Sequence, residues 1–328
     1  MEKKDLRIVF MGTPEFAVES LQRLVEGGYN VVAVVTQPDK PVGRHGSVLR
    51  ASAVKEYALS VELPVLQPVK MKDPEFVEQL ASYKAHLQVV VAFRMLPEVV
   101  WAMPEYGTFN VHAALLPQYR GAAPINWAII NGEQETGVTT FFLDHDIDTG
   151  RIIMQKRFAI PEEADAEYVY DGLMHLGADI CQETVDAVIA TDGQVPSQPQ
   201  METETLHAAP KIFKETCEID WTMTAKRVHD FVRGLSPYPG TWTNLIDAAG
   251  RTAVLKIFKT LQTGRSTDAE AGTLTTGHGH LYVATADEWL EILELQAPGK
   301  KRMAARDYLN GNKDMDSCRV VRSQESEA

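Results

Sequence analysis

LRIVFMGTPEFAVESLQRLVEGGYNVVAVVT, residues 6–36, decides the fold. Leu6 to Phe10 is an apolar run that reads as a buried strand. Gly12-Thr13-Pro14-Glu15 then predicts a helix start, with Thr13 as its cap, Pro14 at the first helical position and Glu15 at the positive end of the helix dipole. The helix runs to about Glu26, and Gly27-Gly28 stops it. Val31 to Thr36 follows as an unbroken β-branched run, the pattern of a strand covered on both faces. Strand, helix and strand in this order make a βαβ unit.

The pattern recurs outward from that unit. Asp73-Pro74 opens a helix carrying Phe76, Leu80 and Tyr83, and Leu87 to Ala92 is another apolar strand. Leu96 to Met103 reads as a short helix, and Thr108 to Val111 and Val138 to Phe142 as strands. A helix from Asp165 to Ala190 puts Val169, Leu173, Leu176, Ile180 and Val188 on one stripe, weakened by Gly172 and Gly177. Alternation of this kind predicts an α/β fold with a doubly wound, mostly parallel sheet that binds ligands beyond the carboxyl ends of its strands. Residues 191–210, TDGQVPSQPQMETETLHAAP, have the composition of a linker, so residues 1–190 are expected to form one domain and 211–328 another. In the second part a helix over 224–235 precedes short apolar runs at Thr252–Phe258, His280–Ala284 and Leu290–Leu295, with turns such as Thr276-Gly277-His278-Gly279, which predicts a small β-barrel or meander.

A chain of 328 residues exceeds the ~250–300 at which single cores stop growing, in keeping with two domains. Its hydrophobic fraction of 45% excludes a largely disordered protein. Three cysteines, Cys181, Cys217 and Cys318, are too few for a disulfide scaffold and form no C-x-x-C pair, so a reducing, cytoplasmic setting is expected. Neither the N-terminal stretch nor any later run suggests a signal peptide or a membrane span. The net charge of −13 argues against non-specific adhesion to nucleic acid, but it is unevenly spread. Residues 1–210 hold 16 Lys/Arg against 29 Asp/Glu, whereas residues 211–328 hold 16 of each.

Asn110-Val111-His112 ends a central strand, and residues two apart in a strand share a face. An amide and an imidazole converging there could polarise a carbonyl and stabilise a developing oxyanion. Asn-x-His alone reads more readily as a turn cap beside a satisfied histidine, and its context shifts the balance. The rigid loop Leu115-Leu116-Pro117 to Arg120-Gly121-Ala122-Ala123-Pro124 supplies a pocket wall next to it. After the Val138–Phe142 strand comes Leu143-Asp144-His145-Asp146-Ile147-Asp148-Thr149-Gly150. An EF-hand reading of it fails, because loop positions six and twelve would be Thr149 and Gln155. Such a loop can instead set a carboxylate against His112, directly or through water, or serve as acidic turn residues. Gly12-Thr13-Pro14 lacks both G-x-G-x-x-G and the P-loop lysine. QPDKPVGRHGSVLR, residues 37–50, reads as a long polar loop whose Lys40, Arg44 and Arg50 could reach a phosphate backbone or simply be solvated.

With FMGTPEFA (10–17), TQPDKPVGR (36–44), NVHAALLP (110–117), RGAAPI (120–125), DIDTG (146–150), EIDW (218–221), LSPYPGTW (235–242) and LQAPGKKRM (295–303), the chain resembles the 10-formyltetrahydrofolate-dependent formyltransferase family over nearly its whole length. The resemblance implies a Rossmann-like catalytic domain followed by an OB-like C-terminal barrel, and a catalytic triad of Asn110, His112 and Asp148. It implies a folate site including Ala114, Leu115, Leu116 and Pro117, the main chain around Phe93, Arg94 and Leu96, and Asp144. It further implies 10-formyltetrahydrofolate as formyl donor with no metal, and the α-amine of methionyl initiator tRNA as acceptor. Arg44, Lys211, Lys300 and Lys301 would meet the tRNA phosphates, and the protein is expected to be a monomer. Rival readings are a formyltransferase for another amine, such as that of a nucleotide sugar, and a non-enzymatic RNA-binding protein. A nicotinamide dehydrogenase is the rival at the level of fold.

Overall fold

The computed structural model describes residues 1–42, 48–201 and 205–323. Two compact units form: Met1–Gly121, Glu135–Ala159 and Tyr170–Ala208 make the first, and Ala122–Gln134, Ile160–Val169 and Ala209–Ala328 the second.

In the first unit, β1 (Ile8–Gly12), α1 (Glu15–Glu26) and β2 (Val31–Val35) form the expected βαβ unit. Its start differs from the sequence expectation. Pro14 is itself the N-cap, with an extended ψ of 173°, and Thr13 Oγ1 is buried with no hydrogen-bond partner. Thr13 stands one residue too early to reach the first turn, and proline carries no side-chain acceptor. The expected polar loop also holds more structure than its composition suggests. β3 (Lys40–Val42) pairs antiparallel with β4 (Val48–Arg50), Lys40 opposite Arg50 and Val42 opposite Val48. Next come α2 (Ala53–Ser60), β5 (Val65–Leu66), α3 (Pro74–Ser82), β6 (Leu87–Val91), α4 (Glu98–Trp101) and β7 (Thr108–His112). α3 opens at Asp73-Pro74 as expected, and Asp73 caps it, accepting from Glu75 N.

A two-residue strand, β8 (Arg120–Gly121), the helix α5 (Pro124–Ile130), β9 (Glu135–Phe142), β10 (Ile152–Ala159), α6 (Ala166–Ala190) and β11 (Ala208–Ala209) complete this stretch of chain. Among the described residues the main sheet runs β10-β9-β7-β6-β1-β2-β5. It is parallel from β5 through β7 and antiparallel at β9 and β10, as a doubly wound, mostly parallel fold requires. All residues of β1 and β6 are buried, which explains their apolar sequences; Gln88, the one polar residue of β6, has its Oε1 satisfied by Thr108 Oγ1. Gly172, which weakens the helical pattern, has a packing reason: a Cβ there would come 2.2 Å from Phe158 Cζ. The helix approaches β10 through that gap.

In the second unit, α7 (Ala225–Gly234) presents Val228 and Val232 to a core completed by strands β12 (Thr241–Ile246), β13 (Thr252–Ser266), β14 (Leu274–Gly277), β15 (His280–Ala284), β16 (Glu288–Gln296), β17 (Met303–Ala304) and β18 (Arg319–Val321), with α8 (Ala305–Gly311) beside them. The antiparallel order is β14-β15-β16-β13-β12-β18, and β17 extends β16. A single Thr273–Arg319 bridge brings the two edges of the sheet back together, the curled barrel-like form expected from the short strands. His278 and Gly279 sit at φ values of 52° and 86° between paired Gly277 and His280, so they make a tight hairpin turn. Within this unit α5 lies against α7: a Cβ on Gly234 would come 2.7 Å from Ile130 Cγ1, and Asn126 Nδ2 donates to the Gly234 carbonyl over 2.8 Å.

Candidate active site

Alternation along β7 puts Asn110 and His112 on one face at the carboxyl end of the sheet. Asn110 is opposite Val90 on one side and Phe141 on the other, and His112 is opposite Thr139. Asn110 Oδ1 is buried without a hydrogen-bond partner, so the acceptor of this amide is not consumed by the fold. His112 is only 6% exposed, and the Phe141 ring meets it edge-on at 6.4 Å.

Both ring nitrogens of His112 have distinct surroundings. Nε2 is 2.9 Å from the Tyr119 carbonyl; a carbonyl only accepts, so Nε2 carries the proton in this contact. Nδ1 faces Asp148 Oδ2 across 3.8 Å. That spacing permits charge–charge attraction but exceeds a hydrogen bond. Nδ1 is therefore the nitrogen left for exchange with a substrate or with Asp148.

Asp148 reaches this position on a left-handed backbone, with φ of 56°. Its carboxylate accepts from Gly121 N over 2.9 Å. Two residues on, Gly150 passes so close to β9 that a Cβ would lie 1.6 Å from the Phe142 carbonyl oxygen. Gln200 Nε2 donates to the Asp148 carbonyl at 2.8 Å and to the Gly150 carbonyl at 2.9 Å. Thus Asn110, His112 and Asp148 belong to one constellation. Tyr119, Gly121 and Gln200 complete it, with main-chain groups or a residue from linker-like sequence that motif reading does not single out.

The 114–117 segment is fixed by a small polar network. Thr139 Oγ1 donates to the Ala114 carbonyl and accepts from Leu116 N, while Gln155 Nε2 donates to the Leu116 carbonyl. Leu115 packs against Gly137, Leu116 is buried with Phe141 and Ile152, and Pro117 follows a cis bond. Leu96 is buried and Phe93 half-buried in the core beside β6. Arg94 directs its guanidinium to the carbonyls of Pro68 and Val69, and burial lowers its pKa from the usual guanidinium value. Asp144 is exposed and accepts from Asp146 N and Thr149 Oγ1, so this carboxylate shapes its own loop.

Among the phosphate-contact expectations, Lys300 and Lys301 are exposed in the β16–β17 connection, and Lys211 lies 5.4 Å from the Phe213 ring centroid. Arg44 lies outside the described residues. Among those residues, no group of three or more His, Cys, Asp or Glu could hold a metal ion, and no helix is long and apolar enough to cross a membrane.

An amide and an imidazole with a carboxylate behind it, at the carboxyl end of a parallel sheet, suit transfer of an acyl-type carbon. Comparison with known proteins narrows this. Residues 6–185 match the formyl transferase family and residues 211–313 its C-terminal domain. A methionyl-tRNA formyltransferase of Parabacteroides distasonis is 58% identical over 320 residues, covering 96% of this chain and 98% of that protein. One from Bacteroides fragilis is 57% identical, covering 95% and 96%. A solved sugar 3N-formyl transferase, WlaRD, shares the fold with a TM-score of 0.63 at 18% identity, over 90% of this chain and 99% of that one. HypX from Aquifex aeolicus, solved with tetrahydrofolic acid, gives a TM-score of 0.60 at 18% identity, over 93% of this chain and 47% of that one. With the matched catalytic region alone spanning more than half its length, the chain belongs to the formyl transferase family.

Proposed function

We propose that this protein transfers the formyl group of 10-formyltetrahydrofolate to the α-amine of methionyl initiator tRNA, giving N-formylmethionyl-tRNA for translation initiation. The observation that carries the choice of acceptor is the 58% identity to a methionyl-tRNA formyltransferase over nearly all of both chains, second unit included. The site supports the chemistry. Its buried, unpartnered Asn110 Oδ1 is an acceptor available to an incoming amine N–H, and oxyanion stabilisation falls to the Nδ2 group of the same amide.

In this reading the neutral amine attacks the formyl carbon, the bond from that carbon to folate N10 breaks, and the amine's proton ends on N10. Asn110 and His112 stabilise the oxyanion between these events, and Asp148, whose carboxylate faces His112 Nδ1, helps move the amine's proton. Ala114 to Pro117, the main chain from Phe93 to Leu96 and the Asp144 loop form the folate site. Lys211, Lys300, Lys301 and Arg44 meet tRNA phosphates. The same reading makes the protein a cytoplasmic monomer of two domains, 1–190 and 211–328, its three cysteines free thiols.

Incubation with 10-formyltetrahydrofolate and methionyl initiator tRNA, read by mass spectrometry of formylmethionine, tests this beside a His112→Ala control. Product in the wild type and its loss in the variant are expected. Formylation of an amino-sugar nucleotide but not of the charged tRNA would overturn the acceptor.

A further inference from the structure

We infer that Gln200 is a positioning residue for Asp148, oriented by Arg120. The inference rests on the formyl-transfer reading only in taking Asp148 as the carboxylate that serves His112. Gln200 lies 52 residues from Asp148 in sequence, in a segment whose composition suggests a linker. Its Nε2 donates to the Asp148 carbonyl at 2.8 Å and the Gly150 carbonyl at 2.9 Å, so a single amide group bridges both sides of the turn. Its Oε1 accepts from Arg120 Nε at 3.1 Å and Nη2 at 2.7 Å.

The fork settles which way the carboxamide points. A guanidinium only donates, so the oxygen of Gln200 must face Arg120 and the NH₂ must face the loop. The adjacent residue, Gly121, donates its main-chain N–H to Asp148 Oδ2 at 2.9 Å. Arg120-Gly121 therefore acts on Asp148 twice, through the carboxylate directly and through the carbonyl by way of Gln200. The segment after Gln198 is held to the same sheet, since Ile152 and Gln198 exchange both main-chain hydrogen bonds.

Such a clamp has a reason. Asp148 sits at φ 56°, a left-handed conformation that aspartate tolerates but does not prefer, so contacts that hold the turn decide where its carboxylate lies. Relaxation to an ordinary φ would swing the carboxylate away from His112 Nδ1, now 3.8 Å distant. Catalytic geometry is sensitive at this scale, since a displacement of about 1 Å can cost about 10²-fold in rate. Gln200 is half-buried, so its replacement spares the core.

Two variants separate positioning from bulk stability. Gln200→Met keeps the size and removes every hydrogen bond, whereas Gln200→Glu keeps the acceptor for Arg120 and sets a carboxylate oxygen against the two carbonyls. For both, kcat for formylation is expected to fall about 10-fold or more with KM for folate within about 2-fold, and the pH profile of kcat to move toward that of Asp148→Asn. The NMR signals of the His112 ring and the Gly121 amide, recorded in the full chain without substrates, are expected to move as the Asp148 carboxylate is displaced. Unchanged kcat, pH profile and His112 and Gly121 signals in folded Gln200→Glu would overturn the inference while leaving formyl transfer intact. An inactive wild type whose His112 and Gly121 signals still respond to Gln200→Glu would instead keep the clamp and overturn the functional reading.

Discussion

His112 Nδ1 and Asp148 Oδ2 stand 3.8 Å apart, while His112 Nε2 is committed to the Tyr119 carbonyl at 2.9 Å. The imidazole is thus anchored by the main chain on one side and faces a carboxylate on the other without a hydrogen bond to it. The ring is oriented by Tyr119, and Asp148 supplies charge.

Asp148→Asn tests the charge alone. Asparagine tolerates the left-handed backbone that Asp148 adopts at φ 56° and can still accept from Gly121 N. Stability is expected to stay within about 1 kcal/mol of wild type while kcat falls about 10²- to 10⁴-fold. Thermal unfolding and single-turnover kinetics check the two halves; full activity would remove Asp148 from the reaction.

Asn110→Ala removes the only buried side-chain acceptor at this strand end left unpartnered among the described residues. The substitution also removes Nδ2, the group of this amide that can donate to an oxyanion, so kcat is expected to fall about 10²- to 10³-fold. Because no protein partner of Oδ1 is stranded, the melting temperature should change little. A wild-type turnover rate would exclude the amide from oxyanion stabilisation.

Gly150→Ala places a methyl group 1.6 Å from the Phe142 carbonyl oxygen, so the loop and β9 must separate. Destabilisation of about 1 to 3 kcal/mol is expected, with kcat lowered as Asp148 is displaced. Denaturant unfolding beside kinetics measures both, and an unaltered stability would show that the loop can shift freely.

His229 gives the second unit an acid sensitivity. It is buried, its Nδ1 bonds to Thr260 Oγ1 over 3.0 Å, and its Nε2 has no hydrogen-bond partner among the described residues. Burial lowers its pKa below the ordinary 6.5, opposed by Glu163 and assisted by Arg233. The unfolded chain therefore binds a proton that the folded chain resists. Stability is fully present above 6.5 and lost as pH falls below it, by at most about 1.4 kcal/mol per pH unit for this one proton. Thermal melts of wild type and His229→Gln across that range should show a shallower acid slope in the variant; identical slopes would assign the sensitivity elsewhere.

Exposed Lys300 and Lys301 are expected to raise the salt dependence of tRNA binding. In the double alanine variant the slope of log affinity against log salt should fall by about 1 to 2. An unchanged slope would place the phosphate contacts on other cations.

The sequence by itself determined the doubly wound sheet, because strands buried on both faces must be continuously apolar and helices between them must carry a single apolar stripe. It also placed Asn110 beside His112, since strand period alone puts them on one face. Only the tertiary structure decided how Asp148 stands to His112, that the Tyr119 carbonyl orients the ring, and that Gln200 grips the turn. The reason is physical: these contacts run through main-chain groups, which every residue carries alike, and between segments far apart in sequence. The same holds for Gly172, whose need for a bare Cα arises from Phe158, and for Thr13, whose capping depends on where the first helical turn begins. Periodicity records which face is buried, but the partner that a carbonyl or a glycine meets there is set by packing alone.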